Sequence, residues 1–203
     1  ADTLGAPPQA TARLPLVLPA LPTGALNMMT AAQVIAALTP ENAIFAEEAA
    51  TSQFPLAMMM TRAGPHEHRA ITGGSIGQGL PLSVGAAIAC PDRKVICPHG
   101  DGGAAYTMQA LWTMAREKLD ITVLIYANRS YAILNVELAR VGAIGAGPKA
   151  RSMLDLHNPE MNWVKIAEGL GVEASRATTS EEFAAQYASA MAGKGPRLIE
   201  LMT

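Results

Sequence analysis

The stretch VICPHGDGGAAYT, residues 95–107, sets one carboxylate, Asp101, among glycines directly after an apolar run. Alone, an acid there closes a turn. A second polar group changes the reading: Asn128 lies 27 residues on and directly follows another apolar run, ITVLIYA. In a parallel α/β sheet that spacing is one strand–helix crossover, and both groups then project from the rim where such sheets bind ligands. The glycines around Asp101 let backbone N–H groups approach a diphosphate at a helix N-terminus, expected to start near Tyr106. Phosphate alone would be repelled by Asp101. A divalent cation between them removes the conflict, because Mg²⁺ takes oxygen ligands from one or two protein groups plus phosphate and water. One carboxylate, one amide oxygen and a backbone carbonyl from the loop after Asn128 would suffice.

Other uses of the glycines fail on spacing. In GGSIGQGLP, residues 73–81, the order of Gly74, Gly77 and Gly79 departs from the dinucleotide fingerprint, and Pro81 follows. GDGG has Ala105 in the third glycine place, and no acid ends the next strand about 20 residues on. A P-loop is excluded, since no Gly-Lys-Ser/Thr occurs.

The elements that must position these groups alternate along the chain. Residues 1–26 carry Pro7, Pro8, Pro15, Pro19 and Pro22 and read as an extended arm or linker, leaving 27–203 as the folded domain. TAAQVIAALTP reads as a helix with Thr30 at the N-cap, Gln33 as its capping-box partner and Pro40 as its stop. Next come strand AIFA, short helix FPLAMMMTR, strand RAIT and helix LPLSVGAAIA. Strand KVICP, helix YTMQALWTMAREK, strand ITVLIYA and helix YAILNVELARV follow. The end repeats the pattern with WVKIAEGLG, VEAS, a helix opened by a capping box at Thr179 and Glu182, and RLIELM. Short β-branched runs between helices indicate βαβ crossovers, hence a doubly wound α/β domain with a parallel sheet of about five to six strands and helices on both faces.

Composition narrows the class. Half the residues are hydrophobic and 16% are charged, enough for a buried core. The net charge of −2 gives no reason to expect a nucleic acid partner. No apolar run approaches the roughly 18 residues of a membrane span, and the first 13 residues lack the apolar core of a signal peptide. Cys90 and Cys97 read as buried thiols in a reducing compartment, so a cytoplasmic location is expected. A start at Ala1 rather than Met suits a processed product or a piece of something longer.

GDG followed by Asn128 in ANRSYAIL resembles the thiamine diphosphate motif, and TGGSIGQGLPLSVGAAIA is similar to that family's cofactor loop and small-residue helix. The nearest likeness is to the C-terminal cofactor domain of the acetolactate synthase and benzoylformate decarboxylase group, from about residue 27 to the end. The resemblance implies that Asp101 and Asn128 ligate Mg²⁺ or Ca²⁺ together with the backbone carbonyl of Ser130. It implies cofactor contacts from Gly100, Gly102, Gly103, Ser75 and Tyr131, with Ala50 and Thr51 closing over the diphosphate. Ile76 becomes the bulky apolar residue beneath the cofactor that forces its bent, self-activating conformation. Ile133, Leu134 and Glu137 correspond to positions that face substrate.

Three departures stand out. Gly103 replaces a frequent serine and loses a hydroxyl contact to phosphate. Ala127-Asn128-Arg129 replaces Asn-Asn-Gly and adds a positive charge. The glutamate that activates the cofactor has no counterpart before residue 27, so no catalytic residue is assigned here; it is expected on a pyrimidine-binding domain or subunit.

The resemblance thus implies part of a lyase or transferase acting on 2-keto acids, by acetolactate-synthase-like carboligation or benzoylformate-type decarboxylation. A homodimer or homotetramer is implied, with FAD possible only in a full-length enzyme. Two alternatives are a complete small subunit of a two-chain decarboxylase and a non-catalytic cofactor-binding module. The proline-rich start favours the first reading, and the intact Asp101, Asn128 and Ile76 count against the last.

Other residues carry simpler expectations. Of Glu47 and Glu48, one is expected in solvent and one bonded to the loop. His66, Glu67 and His68 read as a surface loop at the pocket mouth, with His66 a candidate substrate contact. His99 either approaches the cofactor or is structural. Met58–Met60 read as core or interface filler.

Overall fold

The computed structural model describes residues 17–143 and 147–203; most of the proline-rich arm lies outside the described residues. Strand β4, Ile121–Tyr126, explains the layering. Its side chains alternate between two cores, Leu124 and Tyr126 facing one and Ile121, Val123 and Ile125 the other, as the two-residue period of a strand requires. A strand covered on both faces is apolar almost throughout. The remaining strands are β1 Ala43–Glu47, β2 His66–Ala70, β3 Val95–Gly100, β5 Glu173–Ala177 and β6 Arg197–Leu201. They form one six-stranded sheet in the order β2-β1-β3-β4-β6-β5, with every pairing parallel.

Helices α1 (Met28–Leu38), α2 (Gln53–Met60) and α9 (Ser180–Ala192) bury one sheet face around Ile35, Phe45, Leu56, Phe183 and Tyr187. Helix α3 (Gly79–Ala89), the single turn α4 (Asp101–Ala104), α5 (Ala110–Arg116) and α8 (Trp163–Gly169) cover the other around Leu80, Leu111, Met114 and Trp163. In chain order α6 (Ala132–Arg140) and a short α7 (Pro148–Ser152) fall between β4 and α8. Among the described residues no helix is long and apolar enough to cross a membrane.

Several local expectations need correction. Helix α1 is capped by Asn27, which accepts N–H bonds from Met29 and Thr30, while the Thr30 hydroxyl accepts the Asn27 N–H. The capping box therefore stands one turn earlier than Thr30 and Gln33 imply, because asparagine caps as well as threonine. Leu26, assigned to the arm, is buried in the core, and the Gly24 N–H is held by Glu181. The helix expected to start near Tyr106 starts at Ala110, and a separate single turn, Asp101–Ala104, precedes it, with an acid in its first turn that suits the helix dipole. His66–Ala70, read mostly as a loop, is an edge strand paired with β1, and Phe45 packs against the rings of His66 and His68. Pairing and ring contacts override its polar composition. Of the three methionines, Met60 is buried in the core and Met58 is exposed. Cys90 and Cys97 are free thiols, Cys97 buried and Cys90 partly so.

The sheet order places the site. The chain steps outward from β1 to β2, then returns to the other side of β1 as β3, and a parallel sheet opens its ligand crevice at such a switch point. The two carboxyl ends are bonded together there, with the Glu48 N–H donating to the Pro98 carbonyl and the Gly100 N–H to the Glu48 carbonyl.

Candidate functional site

Each strand that ends at this crevice supplies one wall of a single cleft. From β1 come Glu48, Ala49 and a 3₁₀ turn, Ala50–Ser52, in which Ala50 adopts a left-handed φ of 48°. From β3 come Gly100, Asp101, Gly102 and Gly103. From β4 come Asn128 and Ser130, followed by Tyr131, Ala132 and Ile133. The loop after β2 adds Ile71 and Ile76.

Asp101 is buried, and both its oxygens accept backbone N–H bonds: Oδ1 from Gly102 at 2.8 Å, Oδ2 from Arg129 at 2.7 Å. Burial raises its pKa and the N–H donors lower it; burial prevails, so the carboxyl sits above its ordinary value. The second bond brings the loop after β4 onto the turn after β3. Asn128 Oδ1 accepts the Ser130 N–H at 3.0 Å, an Asx turn that carries Arg129 through a left-handed φ of 55°. The added charge of Arg129 is paired with Glu160. Residues 154–156 back the loop, the Tyr131 N–H donating to Leu154 and the Leu156 N–H to Arg129.

The cleft lining thus offers one carboxylate, one side-chain amide and Ser130. That set suits a hard divalent cation. Among the described residues no group of three or more His, Cys, Asp or Glu could hold a metal. His66 and His68 form no such centre: His66 Nδ1 lies 2.8 Å from the Gly64 carbonyl, and His68 Nε2 lies 3.7 Å from Glu47.

Close packing makes the glycines necessary. A Cβ on Gly102 would come within 2.6 Å of the Tyr131 ring. One on Gly103 would stand 2.8 Å from Glu48 Oε1 and 3.0 Å from His99. Gly103 is therefore set by its neighbours, since a side chain there would have to displace Glu48 or His99. A glycine cradle beside side-chain oxygens fits a bound phosphorylated cofactor with its cation.

The structure thus brings together Ala50, Thr51, Ile76, Gly100, Asp101, Gly102, Gly103, Asn128, Ser130, Tyr131 and Ile133. Ser75, Leu134 and Glu137 do not line the cleft. Glu137 pairs with Arg140, and Leu134 borders a separate apolar dish with Leu138, Val141 and Met153. Neither Glu47 nor Glu48 is in solvent; both are buried. Glu47 accepts the Ala49 N–H at 2.5 Å. Glu48 accepts the N–H groups of Gly77 at 2.5 Å and Gly79 at 2.6 Å, and His99 Nε2 stands 3.2 Å from it. Burial raises the Glu48 pKa, but the His99 ring and the two glycine donors outweigh it and hold the carboxyl below its ordinary value. Glu48 is the cleft residue that sequence reasoning undervalued, because its partners lie 29 and 31 residues away in a loop.

The family described as thiamine pyrophosphate enzyme, C-terminal TPP binding domain, matches residues 48–201. A Mycobacterium tuberculosis protein provisionally named acetolactate synthase large subunit IlvX is 50% identical over 185 residues, covering 91% of this chain and 36% of that protein. Benzoylformate decarboxylase of Pseudomonas aeruginosa is 34% identical over 195 residues, again 36% of its length. The structure of a thiamine diphosphate-dependent 4-hydroxybenzoylformate decarboxylase from Rhodococcus jostii superposes on the whole chain with a TM-score of 0.78 at 29% identity, using 36% of that chain. The chain spans about a third of the length of these relatives. With its six-stranded parallel sheet and a GDG turn at the switch point, this chain belongs to the thiamine pyrophosphate enzyme family, as a C-terminal TPP binding domain.

Proposed function

We propose that the chain is the cation- and diphosphate-binding part of a Mg²⁺-dependent enzyme acting on 2-keto acids. The observation that carries this reading is the convergence of Asp101, Asn128, the Gly102–Gly103 backbone and Ile76 on one cleft. Thiamine diphosphate, when bound, supplies a nucleophilic carbon and an electron sink for chemistry beside a carbonyl. The protein's share is placement and electrostatics. Asp101 and Asn128, with the Ser130 carbonyl, hold Mg²⁺ or Ca²⁺, and the charge of Asp101 is then balanced where no side-chain cation binds its oxygens. Gly100, Gly102 and Gly103, with Ala50 and Thr51 opposite, give the diphosphate a lining of backbone and small side chains. Ile76 supports the cofactor from below, and Ile133 looks toward substrate.

The names of the relatives favour carboligation of the acetolactate synthase type or decarboxylation of the benzoylformate type. The activating glutamate belongs to a pyrimidine-binding domain or subunit outside residues 27–203, in a cytoplasmic homodimer or homotetramer, with FAD a matter for the full-length enzyme.

The test is turnover of pyruvate and benzoylformate by this chain alone and together with that domain. The reading expects activity only in combination, abolished by Asp101→Ala. Unaided turnover by the purified chain overturns it.

A further inference from the structure

We propose that Glu48 is a positioning residue of the cofactor cleft, one that clamps the glycine loop 72–79 onto the Asp101–Gly103 turn and thereby fixes Ile76. This inference rests on the cofactor reading above and deepens it.

The loop has little stiffness of its own. Gly73, Gly74 and Gly77 all adopt positive φ, a conformation that glycine reaches freely, and Ile76 sits between the last two of these. Three bonds from outside hold it. Glu48 Oε1 takes the N–H of Gly77, the residue directly after Ile76, and Oε2 takes the N–H of Gly79 at the start of α3. The Thr107 hydroxyl adds a bond to the Gly77 carbonyl at 2.8 Å. Within the loop, the Gln78 amide and the backbone of Thr72 exchange bonds at 3.1 and 3.2 Å.

Glu48 is itself immobilised. Its N–H and C=O both bond to β3, and its carboxylate packs on His99 and on the Gly103 backbone. One side chain therefore joins the ends of β1 and β3 to the loop that carries Ile76.

The chemistry of the group matters. A carboxylate offers two acceptor oxygens to two N–H donors, whereas an amide of the same shape offers one and turns its own N–H₂ toward the other donor. A buried carboxylate is costly, and one held only by backbone N–H groups and an imidazole serves fixed geometry better than it serves stability.

The experiment is site-resolved amide exchange on the parent chain and on Glu48→Gln, with thiamine diphosphate and Mg²⁺ titrated into both. In the parent, the buried amides of Gly77 and Gly79 should exchange slowly, unlike the exposed residues 72–76 of the same loop. Fast exchange there overturns the clamp without recourse to any variant. In Glu48→Gln these two amides should exchange roughly 10- to 100-fold faster while β1, β3 and β4 keep their protection. Acceleration throughout the chain would instead mean a purely structural role and would overturn the proposal. Cofactor affinity should change little in the variant, as for Ile76→Ala, and unchanged kcat of the complete enzyme with a loosened loop refutes the link to the cleft. In the complete enzyme the loss should fall on kcat more than KM, and Glu48→Gln should add little to Ile76→Ala. A parent chain that binds no thiamine diphosphate refutes the cofactor reading itself, whereas the exchange measurement still decides whether the clamp exists.

Discussion

The two ends of the sheet treat buried charge in opposite ways. At the amino end Lys94 donates to Asp120 Oδ1 at 2.5 Å and to the carbonyls of Ala190 and Gly193 at 2.9 and 2.8 Å, and Lys194 adds a second cation to Asp120 at 3.0 Å. Every group there has a partner of opposite charge or dipole, and the cluster ties β3, β4 and α9 together. At the carboxyl end Asp101 is buried among backbone N–H donors, and the nearby guanidinium of Arg129 is committed to Glu160. Burial raises the pKa of Asp101 above its ordinary value. A closed charge balance serves stability. An open one calls for a ligand, and here the open one lies at the switch point.

The largest effect that separates the two ends should come from the cation ligands. Second-sphere changes at metal sites cost about 10- to 100-fold, so Asp101→Ala and Asn128→Leu, which remove proposed direct ligands, should weaken Mg²⁺-dependent cofactor binding by at least about 100-fold in calorimetry. The ligand-free fold should respond differently. An acid whose native pKa is raised destabilises the fold as pH rises past its unfolded value, so the ligand-free Asp101→Asn chain, which removes that cost but turns an N–H₂ toward one of two N–H donors, should melt within a few degrees of the parent at pH 8. A large drop in melting temperature would mean that Asp101 is structural.

Lys94→Met should do the reverse. Leaving Asp120 with only the exposed Lys194 and stranding two carbonyls should cost about 3 kcal/mol in denaturant unfolding, with cation affinity unchanged. Coupled losses of stability and affinity would erase the distinction between the ends.

Ile76→Ala sharpens the comparison from inside the cleft. Ile76 is 45% exposed, so truncation should cost under about 1 kcal/mol of stability, while kcat of the complete enzyme falls and cofactor affinity changes little. Loss of affinity with unchanged kcat would remove its supporting role. The smallest effect on the site belongs to the surface: Thr179→Ala breaks the capping box of α9 and should cost about 1 kcal/mol by thermal melting, with cofactor binding and kcat unchanged.

How much of this could be read from the sequence depended on where the partners lie. Strand β4 was legible because both its faces are buried and every residue obeys one rule. The α9 capping box was legible because its partners are three residues apart. The placement of Asp101 and Asn128 on one rim was legible because one crossover separates them and each follows an apolar strand. Strand β2 was hidden because HEHRA is polar and is held at the sheet edge by pairing and by Phe45. Glu48 was hidden because its carboxylate is satisfied by backbone groups, whose positions no residue type announces. Gly103 appeared to be a loss, and only the contact with Glu48 and His99 explains it.

The central claim is that the open carboxylate at the switch point is completed by a divalent cation shared with a diphosphate. The most direct measurement is calorimetric titration of thiamine diphosphate into this chain, with Mg²⁺ present and after its removal by chelation, together with the reverse titration of Mg²⁺. The account predicts that each ligand strengthens the binding of the other by the same factor, as linkage requires, and that the coupling vanishes in Asp101→Ala. Thiamine diphosphate binding that is equally tight without Mg²⁺, or a coupling that survives in Asp101→Ala, would contradict it.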